Sequence, residues 1–327
     1  MADKTYNLKY FDSVQSRPVE WLWYLYIPYG KITIVQGDPG DGKTTFVLNL
    51  AARLTKGQEL SESKDKRSAI TVIYLNAEDG IEDTIKPRLE SVYADCMKVA
   101  YLEYDGKPIT LADDRVEQAV IRSDAKLLVF DPSQGFVGDA DMNRAGDIRA
   151  VMQKTATLTD KTGCTVLLVG HMNKTSGGKG IYRGFGSIDL AATARSMILV
   201  DRVKDNADIR AVVHIKSNLA PEGKPIAFEL SDNCWFRWIE GYSITQDKLL
   251  GDQNRADDVK MQDAIKLLIE TLQEGKITAS ELYEICKVAG IGSRTVESAK
   301  SMLGIKSIKH QGKWYWEFPT NKAGETI

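Results

Sequence analysis

The feature that most constrains the fold is a glycine-rich loop between a short apolar strand and a helical segment. The sequence KITIVQ at residues 31–36 runs directly into GDPGDGKTT at residues 37–45. This stretch fits the pattern GxxxxGK[ST] in the strand–loop–helix context that the pattern requires. Glycines let the backbone fold tightly, so that successive N–H groups and the start of the following helix point at phosphate oxygens. The sequence therefore predicts a nucleotide phosphate site; the alternative is a glycine turn with a chance lysine.

All nine residues of this loop are predicted to bind ATP. They are Gly37, Asp38, Pro39, Gly40, Asp41, Gly42, Lys43, Thr44 and Thr45. Lys43 is expected to reach the β- and γ-phosphates, and the Thr44 hydroxyl is expected to be a ligand of Mg²⁺. ATP and Mg²⁺ are thus the predicted cofactors, and the predicted enzyme class is an ATP hydrolase.

Two acidic residues that follow apolar strands complete the predicted chemistry. Asp131 ends the run KLLVFD at residues 126–131 and is expected to hold Mg²⁺ through water. Glu78 follows the run AITVIYLNA at residues 69–77, and ligands of such sheets bind at the carboxyl ends of the strands. Glu78 is therefore the predicted base that activates water. The alternatives are an aspartate that begins an ordinary turn before Pro132 and a solvated acidic loop.

Apolar β-branched runs alternate with helical patterns between residues 30 and 240. The runs are KITIVQG, AITVIYLNA, KLLVFDPS, CTVLLVGH, SMILVD and AVVHIKSN. Nearly continuous apolar runs are typical of strands that are covered on both faces. Their alternation with helices, predicted for example at 44–54 and 144–162, indicates an α/β fold with a mainly parallel sheet. The segment 226–240 is predicted to form a terminal hairpin with its turn at 231–233.

A smaller unit is predicted after a polar stretch without periodicity. Helices are expected at 259–275, 278–290 and 293–304, with Ser293 as the cap of the third. Two strands are expected within 305–318, around Gln311 and Gly312. Three helices followed by a hairpin is the order of a winged helix-turn-helix. The predicted domains are an N-terminal segment (1–20), an ATPase domain (21–240), a linker (241–258), a winged-helix domain (259–319) and a tail (320–327).

The composition argues against several classes of protein. Hydrophobic residues make up 43% and charged residues 27%, and the formal net charge is −2, so a global basic field for nucleic acid is absent. No apolar run approaches the ~18 residues of a membrane span. The polar N-terminus is unlike a signal peptide. Widely spaced Cys96, Cys164, Cys234 and Cys286 favour free thiols over a zinc site or disulfides. A cytoplasmic protein is expected.

The order of these segments resembles that of the RecA-like ATPases, and most closely the RepA-type hexameric replicative helicases of plasmids, phages and related mobile elements. The matching segments, within residues 15–240, are VEWLWYLYIPYGKITIVQGDPGDGKTT, YLNAEDG, LLVFDPSQ, LLVGHMNK, YRGFGSIDLAATARS and IKSNLAP. The resemblance implies a RecA-like core, a homo-hexamer with ATP bound between subunits, and Glu78 as the catalytic base. It does not account for the C-terminal unit, because RepA-type helicases need no appended DNA-binding module.

The resemblance also assigns roles to residues outside the loop. His171 matches the polar residue that senses the γ-phosphate. Arg195 matches the arginine finger and Lys216 a second cation, both donated by a neighbouring subunit to the transition state. For Arg195 a structural salt bridge is the alternative, and Arg202 is a weaker candidate for the finger. DnaB-type relatives carry KxR where this chain has KSN at residues 216–218, which favours the RepA type.

Two surfaces are predicted to contact DNA. The polar loop at 175–186 occupies the place of the channel loop in RecA-like rings, and a mobile surface loop is the alternative. The residues expected to contact single-stranded DNA there are Lys174, Lys179, Tyr182 and Arg183. In the C-terminal unit, those expected to contact DNA are Arg294, Thr295, Lys300, Lys309 and Lys313. A protein–protein module is the alternative for this unit. Trp314 and Trp316 are expected to pack in its core.

Three functions remain open at the level of the sequence. The leading one is a DNA-dependent ATPase that acts as a ring helicase or translocase, with a primase or another replication protein as a partner. The second is an ATP-gated DNA-binding initiation or regulatory factor without unwinding activity. The third is a recombinase-like filament former.

Overall fold

The computed structural model describes most of the chain. The described residues are 8–63, 67–103, 105–138, 145–171, 188–203, 206–231, 236–242, 261, 263–272, 277–310 and 312–318. The chain divides into two compact units, Met1–Thr245 and Gln246–Ile327.

A two-stranded ribbon and a nine-stranded sheet form the first unit. The ribbon consists of β1 (Trp21–Trp23) and β2 (Ile27–Pro28). The sheet consists of β3 (Ile32–Gly37), β4 (Val72–Asn76), β5 (Val99–Ala100), β6 (Leu127–Asp131), β7 (Thr165–His171), β8 (Ser196–Val203), β9 (Asn206–Ser217), β10 (Ile226–Leu230) and β11 (Phe236–Ile239). Its spatial order is β11-β10-β9-β8-β3-β7-β6-β4-β5.

The sheet is parallel from β5 to β8 and antiparallel from β8 to β11. The prediction of a mainly parallel sheet is therefore confirmed. Only two residues separate β8 from β9, and a connection that short forms a hairpin, because parallel neighbours need a crossover of about a dozen residues. The predicted hairpin at 226–240 is present as β10 and β11, while most of its turn lies outside the described residues.

Helices connect the parallel strands. They are α1 (Lys43–Thr55), α2 (Lys86–Ser91), α3 (Asp114–Ser123), α4 (Ala145–Thr162) and α5 (Ile188–Thr193). The helices predicted at 44–54 and 144–162 correspond to α1 and α4. In the described part of the chain, no helix combines the length and the apolar character that a membrane span requires.

An aromatic cluster anchors α1 against the sheet. Trp23 and Phe46 are fully buried, and their ring centroids lie 6.2 Å apart. Phe46 also stacks on Phe228 of β10 at 6.1 Å. Because Phe46 is only three residues past Lys43, this packing fixes the start of the helix that follows the glycine-rich loop.

The second unit has its own small core. A helical segment at 263–272 is followed by β12 (Ile277–Thr278), α6 (Ala279–Val288), α7 (Ser293–Met302), β13 (Lys306–His310) and β14 (Lys313–Glu317). The strands form an antiparallel sheet in the order β12-β14-β13. Thr278 and Glu281 form a reciprocal capping box at the start of α6. Leu268, Leu282, Val296 and Trp316 are among the buried residues that hold the helices on the sheet.

Two details of this unit differ from the prediction. Ser293 is the first residue of α7 rather than its cap, because the extended residue before the helix is Gly292, and no side chain caps this end. Trp314 does not share the core with Trp316: it is 53% exposed, whereas Trp316 is 2% exposed. Strand β12 pairs with β14 only beside Tyr315 and Trp316, so Trp314 lies beyond the covered part of the sheet.

The cysteines that the structure describes are all free. Cys164 and Cys286 are buried and Cys96 is half-buried, and Cys234 lies outside the described residues. Burial raises the pKa of Cys164 to about 12, so its thiol stays protonated at neutral pH.

Candidate nucleotide-binding site

The predicted phosphate loop joins the carboxyl end of β3 to α1, and three of its glycines are required by its geometry. Gly40 and Gly42 have φ angles of 84° and 85°, in the left-handed region that side chains disfavour. A Cβ on Gly37 would lie 2.2 Å from the carbonyl oxygen of Val200, and one on Gly42 would lie 2.9 Å from Leu230 Cδ2. The glycines thus allow both the tight turn of the loop and the close approach of β8 and β10 to the loop backbone.

The Lys43 side chain folds back over the loop. Its Nζ donates hydrogen bonds to the carbonyl oxygens of Gly37 (2.9 Å) and Asp38 (2.8 Å), and the residue is 5% exposed. Burial lowers the Lys43 pKa, while the nearby carboxylates of Asp41 and Asp131 act in the opposite direction. The ammonium group is therefore held inside the loop, where it can meet phosphate oxygens.

A second cation braces the tip of the loop. The Arg202 guanidinium donates to the carbonyl oxygen of Gly40 at 2.8 Å, and its Nε lies 3.5 Å from Asp41 Oδ1. The other oxygen of Asp41 accepts the N–H of Asp38 at 2.8 Å. Burial, followed by the charge of Asp201, raises the Asp41 pKa to about 6. Arg202 thus contacts the phosphate loop of its own chain.

The two predicted magnesium ligands lie together. Asp131 ends β6 and is 4% exposed, and its carboxylate accepts hydrogen bonds from the Thr44 hydroxyl and from Tyr74, the latter at 2.5 Å. Burial raises the Asp131 pKa, and the contacts with Tyr74, Thr44 and Lys43 oppose that rise. The Thr44 hydroxyl and the Asp131 carboxylate therefore lie next to each other beside the phosphate loop.

This pair fits a magnesium ion that is shared with a nucleotide. Within the described ranges, no cluster of three or more His, Cys, Asp or Glu side chains could hold a metal ion alone. Mg²⁺ commonly takes one or two protein oxygens and completes its shell with substrate phosphates and water. The Thr44 hydroxyl and the Asp131 carboxylate supply oxygens of that kind, and Mg²⁺ would shield phosphate charge there.

Glu78 lies on the segment that leaves the neighbouring strand. The Asn76 side-chain oxygen accepts the N–H groups of Glu78 (2.9 Å) and Asp79 (2.6 Å), and Asp79 pairs with Arg88 at 3.2 Å. These contacts fix the backbone and leave the Glu78 side chain exposed. Because Asn76 is paired in register with Asp131 across β4 and β6, the two predicted acids stand on adjacent strand ends.

His171 ends the strand that lies between β3 and β6. It is aligned in register with Gly37, the first residue of the phosphate loop. The ring is half-buried, and its Nδ1 has no hydrogen-bond partner among the described residues. The residues predicted to form the DNA-contacting loop after it, Lys174, Lys179, Tyr182 and Arg183, lie outside the described residues.

Arg195 lies at the opposite end of the sheet from the phosphate loop of its own chain. Its backbone N–H donates to the carbonyl oxygen of Ile32, the first residue of β3, at 3.0 Å. Gly37 is five positions further along that strand, which at ~3.3 Å per residue is about 17 Å away. The Arg195 side chain is exposed at this amino edge.

Lys216 occupies the same edge and is tied to the end of α5. Its Nζ donates to the carbonyl oxygens of Ala191 (2.5 Å) and Ala194 (2.8 Å). Burial and the charge of Arg195 both lower the Lys216 pKa. Lys216 therefore fixes the chain leading into Arg195, as a cation does at a helix C-terminus.

The candidate DNA-contacting residues of the second unit differ in availability. Arg294, Lys309 and Lys313 are exposed and Thr295 is half-buried. The Lys300 side chain is 17% exposed; its Nζ lies 4.0 Å from the ring centroid of Trp316 and 3.6 Å from Glu297. Lys300 is thus engaged within its own unit.

The structure adds Asn76 and Tyr74 to the nucleotide site, and Arg202, the weaker candidate for the arginine finger, contacts the phosphate loop of its own chain. Asn76 carries a recognisable signal, since an Asn two residues before a strand-end acid is typical of an Asx turn. Tyr74 and Arg202 carry none, because their contacts depend on the register of β4 against β6 and on the β8–β9 hairpin.

A phosphate-binding loop at the carboxyl edge of a parallel sheet, beside a buried aspartate and a strand-end glutamate, defines a P-loop ATPase. Residues 7–177, more than half of the chain, match the family described as AAA domain. The chain therefore belongs to the AAA domain family.

Two further similarities accompany the family match. A stretch of 149 residues is 29% identical to the DNA repair protein RadA of Halalkalibacterium halodurans, covering 44% of this chain and 28% of RadA. The chain thus spans little more than a quarter of that relative. Among solved structures, a KaiC-like protein of Pyrococcus horikoshii OT3 aligns with 20% identity and a TM-score of 0.49, over 68% of this chain and 100% of that one. The family match supports a RecA-like P-loop core.

Proposed function

We propose that the protein is a DNA-dependent ATPase that assembles into a homo-hexameric ring and moves along single-stranded DNA. Its role is that of a replicative helicase or translocase of a phage, plasmid or mobile element. The observation that carries this proposal is the separation of Arg195 from the phosphate loop by the length of β3. If Arg195 serves a γ-phosphate, that phosphate is bound by another copy of the chain.

Such an arrangement is head-to-tail, because the amino ends of the parallel strands in one subunit face the carboxyl ends of those strands in its neighbour. Head-to-tail contacts close into rings or continue as helical filaments. The relative described as a DNA repair protein supports DNA as the partner. Electron micrographs of the ATP-bound protein distinguish a hexameric ring from the recombinase-like filament.

The described side chains suggest how hydrolysis proceeds. The loop N–H groups and Lys43 bind the phosphates, and Thr44 and Asp131 would hold Mg²⁺, which would shield the phosphate charge. Glu78 accepts a proton from water as the water oxygen attacks the γ-phosphorus, and ADP leaves. Arg195 of the neighbour stabilises the charge that develops on the transferred phosphoryl group.

We propose that His171 changes position when the γ-phosphate is released. This residue stands in register with the start of the phosphate loop. It also directly precedes the segment that carries Lys174, Lys179, Tyr182 and Arg183. A shift of His171 would move this segment, and with it the single-stranded DNA that we propose these residues contact.

A mixing experiment tests the shared active site. Glu78→Ala and Arg195→Ala should each abolish ATP hydrolysis. In mixed assemblies, a chain lacking Arg195 can supply Glu78 at an interface where its neighbour supplies Arg195. Random mixing of equal amounts makes about a quarter of the interfaces competent, so activity should return.

The matched control mixes Glu78→Ala with Lys43→Ala. Both changes disable the same side of the interface, so this mixture should stay inactive. Failure of the Glu78→Ala and Arg195→Ala mixture to recover, despite verified co-assembly, would contradict a site completed by Arg195.

The exposed cations of the second unit favour an alternative, an ATP-gated initiation or regulatory factor. Arg294, at the start of α7, together with Lys309 and Lys313, suits the phosphates of duplex DNA. This alternative predicts sequence-specific duplex binding that Arg294→Ala weakens, together with slow ATP turnover that DNA does not accelerate. Fast turnover stimulated by single-stranded DNA of any sequence would exclude it.

A further inference from the structure

The hairpin of β13 and β14 extends beyond the rest of its sheet. Trp314 and Trp316 are on the same face of β14, since side chains two residues apart point the same way. Trp316 is paired on both sides, with Ile277 of β12 and Ser307 of β13. Trp314 is paired only with Lys309, and it is the exposed tryptophan of the two.

The surroundings of the two tryptophans differ: Trp316 packs in the core, whereas Trp314 is exposed. Trp316 is buried in the core of the second unit, with the ammonium of Lys300 4.0 Å from its ring centroid and the ring centroid of Tyr283 at 5.3 Å. Lys309 is 5.8 Å from the Trp314 ring centroid and is exposed. The Lys309 ammonium group thus lies over one face of the Trp314 ring at a long distance, and because both side chains are exposed, the ring is accessible to a ligand.

The charge of the tip indicates the chemistry of that ligand. Lys309 lies opposite Trp314 on the same face of the hairpin, and His310 and Lys313 form the next pair toward the turn, on the other face. Glu317, the one acid among the described residues of the two strands, lies at the far end of the hairpin. A lysine beside an exposed aromatic plane matches a nucleic-acid strand, in which a phosphate lies next to a flat base. An apolar protein surface would complement the indole but not the lysine ammonium group.

We propose that the hairpin tip binds an unpaired base of single-stranded nucleic acid, with Trp314 stacking on the base and Lys309, its cross-strand neighbour on the same face, contacting the adjacent phosphate. This inference rests on the proposed binding of single-stranded DNA and adds a second contact to it: the hairpin takes an unpaired nucleotide, whereas the alternative function gives α7 a duplex contact. Stacking reads no particular base, so the site is tolerant of sequence.

The test uses the full chain, a fluorescent 20-nucleotide poly-dT probe and a duplex of the same length at low salt. Trp314→Ala should weaken single-strand binding about fivefold or more, in keeping with one stacked base. Trp314→Phe should keep most of the affinity, because it keeps an aromatic face. Tyr93→Ala is the matched control, since Tyr93 is an exposed aromatic of the first unit (78% exposed) and should change nothing.

A second measurement does not depend on affinity. Stacking of a base on Trp314 should quench part of the intrinsic tryptophan fluorescence when unlabelled poly-dT binds, and Trp314→Phe should remove that part. The thermal unfolding temperature of the variants should match that of the wild type, because Trp314 is exposed.

The outcomes distinguish this inference from the proposed function. If the wild type binds DNA but Trp314→Ala binds the single strand equally well and the quench persists in Trp314→Phe, the hairpin site is wrong and the proposed function stands. A loss confined to the duplex also overturns the hairpin site. If the wild type binds neither probe at low salt, the proposed function itself is wrong.

Discussion

The Tyr74 hydroxyl donates a hydrogen bond to Oδ2 of Asp131, joining β4 to β6 beside the phosphate loop. Both side chains are buried, so the carboxylate meets a cost of desolvation that raises its pKa. The hydroxyl lowers that pKa because it donates to the charged form. Tyr74 therefore helps to keep Asp131 ionised, the form in which it attracts Mg²⁺.

Removal of this hydroxyl should weaken the use of Mg²⁺. Tyr74→Phe keeps the ring and deletes one hydrogen bond to a charged group, worth about 1.5–3 kcal/mol. We expect the Mg²⁺ concentration for half-maximal ATP hydrolysis at pH 7 to rise about tenfold or more. Tyr26→Phe is the control, since it deletes the hydrogen bond from the Tyr26 hydroxyl to the Lys224 carbonyl in the core. An unchanged Mg²⁺ dependence would exclude this role for Tyr74.

Asp41 should make the nucleotide-free protein less stable as the pH rises. Its pKa is raised from 3.8 to about 6, so the folded state binds more protons than the unfolded state between these values. The free energy of unfolding should therefore fall from about pH 4 to pH 6. In Asp41→Asn, which can still accept the Asp38 N–H, this fall should disappear, with a gain of about 1–3 kcal/mol at pH 7.

Urea unfolding of both proteins at pH 4.5 and pH 7 measures this difference. The pair with Arg202 does little to offset the gain, because Arg202 is half exposed and such pairs contribute about 0–1 kcal/mol. If Asp41→Asn were no more stable than the wild type at pH 7, burial would not dominate the behaviour of Asp41.

His214 should have the opposite effect on stability. Its Nδ1 accepts the N–H of Gly223 at 3.0 Å, and its Nε2 lies 3.0 Å from Ser196 Oγ, which donates to the Tyr26 carbonyl at 2.5 Å. Burial lowers the His214 pKa from 6.5 to about 4. The unfolded state therefore binds more protons in this interval, and stability is lost as the pH falls through it.

The loss attributable to His214 at pH 5 should be about 2 kcal/mol relative to pH 7. His214→Gln should be less stable at pH 7 because it breaks this chain of hydrogen bonds, and it should lack this loss on acidification. The free energy of unfolding in urea is measured at the two pH values. Both proteins carry Asp41→Asn, so that titration of Asp41 does not offset the effect of His214. A loss of equal size in both proteins would assign it to other groups.

Arg202 should affect nucleotide binding more than the chemical step. It braces Gly40 and Asp41 of its own phosphate loop, so Arg202→Ala should weaken ATP binding several-fold and change kcat little. Arg202→Lys, which keeps the charge but not the fork of donors, should lie between. A fluorescent ATP analogue reports affinity and phosphate release reports kcat. A loss of kcat by ~10³ with unchanged affinity would instead identify Arg202 as an arginine finger.

The sequence predicts the catalytic and binding residues of the site better than the residues that hold them in place. Lys43, Thr44 and Glu78 lie within motifs or at strand ends that local patterns reveal. The contact between Tyr74 and Asp131 depends on the register of strands that are 50 residues apart in the chain, which periodicity does not specify. Local signals predict where the helices and strands lie along the chain, but not which strands pair or in what register.

The second unit shows the same limit at Trp314. Alternation places Trp314 and Trp316 on one face and predicts that both pack in the core. Which of them is covered depends on where β12 ends against β14. Strand direction likewise decides that Arg195 stands at the edge opposite Gly37, although both flank neighbouring strands.

In the proposed function, ATP hydrolysis at this site is coupled to single-stranded DNA. The most direct measurement is the rate of phosphate release with and without single-stranded DNA, for the wild type and for Glu78→Ala. We predict strong stimulation of the wild type by DNA and no hydrolysis by the variant under either condition. A wild-type rate that is the same with and without DNA of several lengths and sequences would contradict a translocating motor.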